Sequence, residues 1–303
     1  MINLREKTFW KVGGNCENYY EPTNLEELIN LINDIQSPFP IIIGNGTNVL
    51  FDSQGYHGNV LKLGHGFDFI EFQTSNKVVV GATTWVPGLV RLLSKNGYGG
   101  IEHCVGIPAT IGGLIAMNGG SQRRSISENL ESVTFLNDSS QIETVDVSEC
   151  KFSYRDSIFK NNNRVIISAT LKLDSIEKNE NRSTLLKILK ERRTKFPRKE
   201  PSCGSVFLSS PELFATHGAP GAIIEKLGLK GLECGGAQIS VLHGNFIVNK
   251  NNATSEDILT LVKIINDKCY EMSGMKMKAE AIYYSDNFPV STLDKACELI
   301  HGC

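Results

Sequence analysis

Apolar residues recur along the chain in two alternating patterns, one typical of amphipathic helices and one typical of buried strands. Helical spacing predicts helices at 22–36, 86–96, 184–194, 222–227 and 255–272, with a further short helix within 286–303. Short apolar or alternating runs predict strands at 41–43, 59–63, 67–72, 77–81, 130–136, 141–145, 164–173, 245–249 and 279–284. This mixture predicts an α+β fold.

Local signals at the helix ends support these assignments. Thr23 or Asn24 can cap the first predicted helix, and Thr254 or Ser255 can cap the one at 255–272. Gly97 follows the helix at 86–96 and suits a left-handed C-terminal cap. The polar stretch 174–183, rich in Asn, Glu and Lys, is the best candidate for a domain boundary.

Composition and charge exclude several classes of protein. Of the 303 residues, 41% are hydrophobic and 21% charged, and the net charge of −2 gives no support for nucleic-acid or anionic-membrane binding. No run of about 20 apolar residues and no secretory signal is visible, so we expect a cytoplasmic protein with no membrane partner. The eight cysteines form no CxxC pair, which predicts reduced thiols and no metal site.

Two glycine-rich segments are the first candidates for chemistry. The segment Gly44-Asn45-Gly46-Thr47-Asn48 follows an apolar strand but matches neither the dinucleotide fingerprint nor the phosphate loop. It is either a plain turn or a nest of backbone N–H groups suited to a pyrophosphate. The segment 106–120 combines five glycines and Pro108 with apolar residues. It is either a packed turn into a helix or a wall for a planar apolar ring such as an isoalloxazine.

Six motifs in order give the chain a resemblance to a known family. They are Trp10-Lys11-Val12-Gly13-Gly14, Gly44–Leu50, Gly106–Asn118, Ser153-Tyr154-Arg155-Asp156-Ser157, Pro201–Phe207 and Gly228–Asn249. Each alone is weak, but together they span about Phe9 to Tyr284 and resemble the motifs of the UDP-N-acetylenolpyruvoylglucosamine reductase (MurB) family. Only 50 positions separate Arg155 from Ser205 (205 − 155), so the chain resembles the shorter type of that family.

The resemblance implies a fold, cofactors and a place in metabolism. It implies a two-part FAD-binding unit of the vanillyl-alcohol oxidase (PCMH) type, at 1–62 and 63–183, and a C-terminal α/β substrate domain at 184–285. Residues 286–303 would be an extension with no assigned chemistry. FAD and NADPH are the implied cofactors, and peptidoglycan precursor synthesis is the implied process. We expect a monomer or weak dimer.

The resemblance also implies the site residues. The residues expected to bind the cofactor lie in the two glycine-rich segments: Gly44, Asn45, Gly46, Thr47, Asn48, Val49, Gly106, Ile107, Pro108, Thr110, Gly112, Gly113 and Asn118. Reduction of an enolpyruvyl ether needs a hydride source, charge stabilisers at the carboxylate and a proton donor. Arg155 is expected to bind the carboxylate, Ser205 to donate the proton, and Glu280, in its protonated form, to hydrogen-bond the developing enediolate.

The chain departs from the family motifs in three places. Leu208-Ser209-Ser210-Pro211 stands where the family has a cation and an Asn-Pro, and Lys278 stands where it has a first glutamate. Gly119–Arg124 replaces A-G-A-Y-G, and the pair Arg123-Arg124 either binds phosphate or belongs to a solvated loop. These changes affect the expected sugar-nucleotide contacts more than the redox residues.

His243 and Cys203 are two further residues with reactive side chains. His243 titrates near neutrality but lies in a block typical of packing, and Cys203 has no partner in sequence that would stabilise a thiolate. Two alternative functions remain at this point. One is a flavoprotein reductase or oxidase acting on a related substrate, and the other is a flavin-binding protein without activity. The combination of Arg155, Ser205 and Glu280 favours the reductase, because binding alone does not need a cation, a hydroxyl and a carboxyl.

Overall fold

The computed structural model describes residues 1–35, 38–74, 76–160 and 162–301. Its helices are α1 (Leu25–Asp34), α2 (Val86–Lys95), α3 (Ile111–Ala116), α4 (Lys178–Lys195), α5 (Pro211–His217), α6 (Pro220–Lys226), α7 (Ser255–Ser273) and α8 (Leu293–His301). The strands of the first half are β1 (Ile2–Asn3), β2 (Asn15–Tyr20), β3 (Ile41–Ile42), β4 (Val49–Phe51), β5 (Tyr56–Leu61), β6 (Ile70–Phe72), β7 (Lys77–Gly81), β8 (Tyr98–Gly99), β9 (Leu130–Leu136) and β10 (Ile142–Asp146). Those of the second half are β11 (Val165–Lys172), β12 (Asp174–Ser175), β13 (Glu233–Cys234), β14 (Ala237–Ile239), β15 (Ile247–Asn249), β16 (Ile282–Tyr284) and β17 (Ser291–Thr292). Helices and strands intermix throughout, so the predicted α+β class is confirmed.

The chain forms two compact units. Unit 1 comprises Met1–Asn18, Gly46–Gly58 and Arg193–Cys303, and unit 2 comprises Tyr19–Asn45 and Asn59–Arg192. Each unit therefore contains segments that are distant in sequence. The finer division at residues 62, 183 and 285 stays a prediction.

Unit 2 is built on a five-stranded antiparallel sheet with the order β10-β9-β11-β7-β6. A β-bulge between Ile166 and Ser168 shifts the register of β11 against β9. Helix α2 buries Leu89, Val90 and Leu93 in the same hydrophobic core, which also takes in Leu185 and Ile188 of α4. This core supports the loops that follow α2 and β10, where the candidate chemistry lies.

Unit 1 pairs a strand near its C-terminal end, β16, with an early segment of the chain. Strand β16 runs parallel to β4 and antiparallel to β17, while β13, β14 and β15 form a separate antiparallel sheet. Helix α7 buries Ile258, Leu261 and Ile265 among other apolar residues in the core of this unit. Trp10 is fully buried in this core, where its indole Nε1 donates to the Ile247 carbonyl at 2.8 Å.

The strongest sequence signals predicted their elements closely. Asn24 caps α1 by accepting from the Glu27 N–H at 2.9 Å, and Thr254 with Asp257 forms a reciprocal capping box at the start of α7. Gly97 has a φ of +82°, as expected of a left-handed residue after α2. The structure differs at α4, which begins at Lys178 instead of 184, and it adds α3 and α5, which the apolar spacing does not predict.

The cysteines and the helices bear on two other expectations. The seven cysteines of the described residues are all free, and six of them are buried; Cys303 lies outside the described residues. In the part of the chain that the structure describes, no helix is long and apolar enough to cross a bilayer.

Candidate functional site

Helix α3 lies inside the second glycine-rich segment and has its first N–H groups bound within the protein. Thr110 precedes it, and the Thr110 Oγ1 accepts from the Gly113 N–H at 3.3 Å. The N–H of Ile111 donates to the Thr84 carbonyl at 3.0 Å and that of Gly112 to the Ala82 carbonyl at 2.8 Å. Because these N–H groups already have acceptors within the protein, a ligand at this segment would contact its surface and would not be bound by the N–H groups of the helix terminus.

Two glycines of this region lie where a side chain would clash. A Cβ on Gly44 would lie 2.5 Å from the Thr110 Oγ1, so the two predicted cofactor segments touch within unit 2. A Cβ on Gly106 would lie 2.2 Å from the Nε of Arg192, so that guanidinium lies directly over the glycine. Burial lowers the pKa of Arg192, which is consistent with its enclosed position. A side chain at Gly44 would therefore require Thr110 to shift, whereas a side chain at Gly106 would displace the end of the flexible Arg192 side chain.

The first glycine-rich segment has the donors that a diphosphate needs. Among the described residues, the main-chain N–H groups of Gly44, Asn45, Gly46 and Thr47 meet no acceptor. None of these four residues is fully exposed, and Gly46 is buried. Gly44 and Asn45 belong to unit 2, whereas Gly46 and Thr47 belong to unit 1. Buried or half-buried N–H groups normally require a partner, and in each unit a pair of successive donors suits phosphate oxygens. The residues present therefore fit the FAD expected at this segment.

Arg155 lies on a tight turn of unit 2 and faces the end of the second glycine-rich segment. Ser153 and Asp156 exchange main-chain hydrogen bonds of 3.1 and 3.3 Å, which close the turn, and Arg155 between them has a φ of +59°. Its Nη1 donates to the Asn118 carbonyl at 3.2 Å, and its Nη2 donates to the Gly120 carbonyl at 3.1 Å. These two bonds fix the direction of the guanidinium.

The loop after Asn118 is held by its own contacts. The Ser121 hydroxyl donates to the His103 carbonyl at 2.5 Å, and Arg124 pairs with Glu128, its Nε lying 2.9 Å from a carboxylate oxygen. The Arg124 Nη2 also donates to the Asn129 Oδ1 at 3.4 Å. Arg124 therefore has structural partners inside the loop, in line with the solvated-loop interpretation of the arginine pair.

Ser205 and Glu280 both lie in unit 1, next to one another along a pair of bonded backbones. The Glu280 N–H donates to the Val206 carbonyl at 2.8 Å, and the Leu208 N–H donates to the Lys278 carbonyl at 2.9 Å. Ser205 is exposed, and Gly204 before it has a φ of +85°, which a glycine adopts without strain. Glu280 is half-buried. The pairing places a hydroxyl and a carboxyl on neighbouring segments.

Asn245 fixes the segment that carries Ser205. It is only 5% exposed, and its Oδ1 accepts from the Phe207 N–H while its Nδ2 donates to the Phe207 carbonyl, both at 2.9 Å. Its own carbonyl accepts from the Val206 N–H at 2.9 Å. The sequence placed Asn245 in a block typical of packing and gave no signal for this clamp.

Asn48 connects the first glycine-rich segment to Glu280 within unit 1. Its Nδ2 donates to the Glu280 carbonyl at 3.2 Å, and its own carbonyl accepts from the Ile282 N–H at 3.1 Å. Strand β4, which starts at Val49, continues this contact as the parallel pair with β16. A residue expected to bind the cofactor therefore also supports the position of a residue expected to act on the substrate.

Neither Cys203 nor His243 has an environment suited to catalysis. Burial raises the pKa of the Cys203 thiol, and the Glu280 charge raises it further, so the thiol stays protonated. Burial lowers the pKa of His243, and the Lys230 charge adds to this. The His243 ring packs against Phe196 and Phe246, with centroids 5.1 and 5.0 Å away.

The three residues expected to act in catalysis are distributed over both units. Arg155 belongs to unit 2, whereas Ser205 and Glu280 belong to unit 1. Their convergence around one substrate stays a prediction. Within unit 2 the structure brings Arg155 to the predicted cofactor segment, and within unit 1 it bonds Glu280 to Asn48 and to Val206, the residue that follows Ser205.

Comparison with known protein families assigns two domains to the chain. A family described as FAD binding domain matches residues 17–146. A family described as UDP-N-acetylenolpyruvoylglucosamine reductase, C-terminal domain, matches residues 196–284. The expected order, an FAD-binding unit followed by a C-terminal domain, is confirmed.

Whole-length relatives agree with this assignment. The chain is 39% identical over 292 residues to UDP-N-acetylenolpyruvoylglucosamine reductase 1 of Corynebacterium glutamicum, covering 95% of this chain and 87% of the relative. It is 36% identical to the reductase of Prochlorococcus marinus, covering 92% and 95% of the two chains. The crystal structure of the reductase (MurB) from Thermus caldophilus superposes with a TM-score of 0.80 at 29% identity, covering 94% and 98%.

Proposed function

Because the chain belongs to the UDP-N-acetylenolpyruvoylglucosamine reductase family, we propose that it reduces UDP-N-acetylglucosamine enolpyruvate to UDP-N-acetylmuramate with electrons from NADPH. The observation that carries the proposal is the 39% identity to such a reductase over 95% of the chain. The matched FAD-binding domain supports FAD as the redox group. The reaction would serve peptidoglycan precursor synthesis, and the compartment proposed is the cytoplasm.

The substrate chemistry defines what the protein must provide. Hydride adds to the terminal carbon of the enolpyruvyl double bond, and the electron pair of that bond moves towards the carboxylate. A proton then adds to the adjacent carbon, so substrate, NADPH and one proton give the saturated ether and NADP⁺. When bound at the glycine-rich segments, FAD would supply this hydride, which would come originally from NADPH.

Arg155 is the residue proposed to bind the substrate carboxylate. Two of its N–H groups are anchored on the carbonyls of Asn118 and Gly120, which fixes the plane of the guanidinium. A guanidinium has five donors in a planar fork that matches a carboxylate. A cation already oriented in this way stabilises developing negative charge without reorganising.

Ser205 is proposed to donate the proton, and Glu280 is proposed to stabilise the enediolate that receives it. The exposed Ser205 hydroxyl follows a glycine that turns the chain, so it is accessible for donating a proton to the carbon next to the carboxylate. Glu280 is half-buried on the paired segment, where its protonated carboxyl would hydrogen-bond the enediolate. Clamping by Asn245 keeps the serine segment in place.

The experiment is a turnover assay with product identification. Purified protein loaded with FAD is mixed with NADPH, and NADPH absorbance is followed before and after UDP-N-acetylglucosamine enolpyruvate is added. The proposal predicts slow oxidation before addition, rapid oxidation after it, and a product whose mass corresponds to the saturated ether. NADPH consumption that depends on oxygen and not on the sugar nucleotide would instead support an oxidase.

A further inference from the structure

Residues 116–120, at and after the end of α3, are bonded to residues 153–157, which contain Arg155, at four points, all within unit 2. The Ser157 hydroxyl donates to the Ala116 carbonyl at 2.7 Å, and the Asn118 Nδ2 donates to the Ser153 carbonyl at 2.9 Å. The other two bonds run from the Arg155 guanidinium to the carbonyls of Asn118 and Gly120. One residue, Asn118, takes part in two of the four.

Asn118 has an environment that only a few residue types tolerate. It is 6% exposed and has a φ of +41°, in the left-handed region that Asn and Gly accept most readily. Its side chain is used at both ends, because the Nδ2 binds the Ser153 carbonyl and the Oδ1 accepts from the Ser127 N–H at 3.4 Å. With its side chain engaged in this way, Asn118 faces Arg155 through its main-chain carbonyl.

We propose that Asn118 is a positioning residue for Arg155, whose side chain ties the arginine turn at Ser153 while its carbonyl aims the guanidinium at the substrate carboxylate. This inference rests on the proposed function, and for the Asn118 side chain it replaces the expectation of cofactor binding, because both ends of that side chain are bound within the protein. The Asn118 Nδ2 holds the first residue of the arginine turn, Ser153, in position. The Asn118 main-chain carbonyl holds the guanidinium of Arg155 in position. Errors of about 1 Å in such positioning cost on the order of 10²-fold in rate.

The informative variant is Asn118→Asp. Aspartate has the shape of asparagine and tolerates a positive φ, and it keeps the acceptor for the Ser127 N–H. It loses the donor to the Ser153 carbonyl and sets a carboxylate oxygen against it. Asn118→Gly is the second variant, because glycine adopts this φ freely but lacks the side chain. The matched control is Asn76→Asp, at another left-handed asparagine of unit 2 whose exposed Nδ2 donates to the Ser175 hydroxyl at 3.0 Å.

Three measurements separate positioning from cofactor binding. The first is FAD affinity, read from flavin fluorescence. The second is the pair of anaerobic half-reactions, flavin reduction by NADPH and reoxidation by the enolpyruvyl substrate. We expect Asn118→Asp to keep FAD affinity and flavin reduction within about twofold of wild type and to slow reoxidation about 10- to 100-fold. The control is expected to match wild type in all of them.

The third measurement is a double-mutant cycle with Arg155→Gln. If Asn118 acts through Arg155, adding Asn118→Asp to Arg155→Gln gives no further slowing of reoxidation. Additive slowing overturns the proposal, and so does a loss of FAD affinity with normal reoxidation of the FAD-loaded fraction. Failure of wild-type flavin to reoxidise overturns the proposed function instead. A crystal structure of Asn118→Asp then still tests the positioning: a displaced guanidinium supports it, and an unmoved one overturns it.

Discussion

Single residues in the left-handed backbone region mark the loops around Arg155. Asn118, Gln122, Arg123 and Arg155 all have a φ between +41° and +63°. Such a backbone is costly for residues other than glycine and persists only where the surroundings impose it, often at functional sites. The hydrogen bonds from Arg155 to the carbonyls of Asn118 and Gly120 restrain part of this loop. The role of Arg155 in catalysis stays a prediction.

Ser205 provides the most direct test at the residue scale. Replacing it with alanine removes one exposed hydroxyl and leaves its neighbours Val206 and Phe207 hydrogen-bonded to Asn245. We expect Ser205→Ala to leave flavin reduction by NADPH unchanged and to slow reoxidation by the substrate about 10²-fold or more, because the proton donor is lost. Stopped-flow absorbance measures both steps. Ser139→Ala, at another exposed serine in a turn, is the control. Equal reoxidation by Ser205→Ala and wild type would exclude the serine as the donor.

His103 gives a second residue-level prediction, for stability against pH. It is 1% exposed, and burial together with the Arg124 charge lowers its pKa to about 4. Between about pH 6.5 and 4 the unfolded chain binds a proton at this histidine and the folded chain does not, so stability falls as pH falls. We expect the free energy of unfolding of His103→Gln, from urea titrations, to fall about 2 kcal/mol less than that of wild type between pH 7 and 5.

His57 serves as the control for this measurement. The hydrogen bond and the charge of Asp286 raise the pKa of His57, so its contribution is present at low pH and lost as pH rises. His57→Gln is therefore not expected to reduce the loss of stability in acid. An unchanged pH dependence in His103→Gln would mean that His103 is not the buried group responsible.

At the scale of elements, the sequence predicts a helix well where period and capping agree. Helix α7 (Ser255–Ser273) has both and is followed by Gly274, whose φ is +69°; the prediction at 255–272 matches it. Helix α3 has no long apolar period, and Gly112 and Gly113 in its first turn disfavour a helix. It forms because the Thr84 and Ala82 carbonyls accept its first N–H groups. That is tertiary information, which the local sequence does not contain.

The start of α4 was missed for a related reason. Its first turns, at 178–183, are polar and show no apolar face. Asn181 is nevertheless 2% exposed, and its Nδ2 donates to the Tyr98 carbonyl at 2.8 Å. The buried amide of Asn181, bonded to the Tyr98 carbonyl, therefore holds the first turns of α4 in place. Apolar residues at helical spacing, which the prediction depends on, normally serve this purpose.

The contact between the two glycine-rich segments predicts that a side chain at Gly44 weakens FAD binding. Gly44→Ala would place a Cβ 2.5 Å from the Thr110 Oγ1, so one of the segments must move. We expect weaker FAD binding, measured by flavin fluorescence, and partial recovery when Thr110→Ala removes the obstructing hydroxyl. Gly88→Ala, whose Cβ would only approach the half-exposed ring of Trp85 at 3.3 Å, is the control. Additive losses in the double variant would contradict this packing argument.

At the scale of the whole molecule, the site depends on hydrogen bonds between backbone segments that are distant in sequence. Local sequence patterns do not predict such bonds. Ser205 and Glu280 become neighbours through the main-chain bond from Glu280 to Val206, and nothing local in either segment indicates that register. Ser205 and Glu280 were predicted as site residues because the ordered motifs along the chain resemble those of a known family. Asn245 lies within the motif Gly228–Asn249, but the motif does not indicate its bonds to Phe207, and Arg192 lies outside all six motifs, so both supporting roles emerge only from the contacts.

The central claim is that electrons pass from NADPH through bound FAD to an enolpyruvyl sugar nucleotide. An anaerobic flavin titration tests it most directly, with absorbance followed in one cuvette. The account predicts that NADPH bleaches the flavin and that UDP-N-acetylglucosamine enolpyruvate then restores its colour with one equivalent per flavin. A flavin that stays bleached until oxygen is admitted would contradict the account.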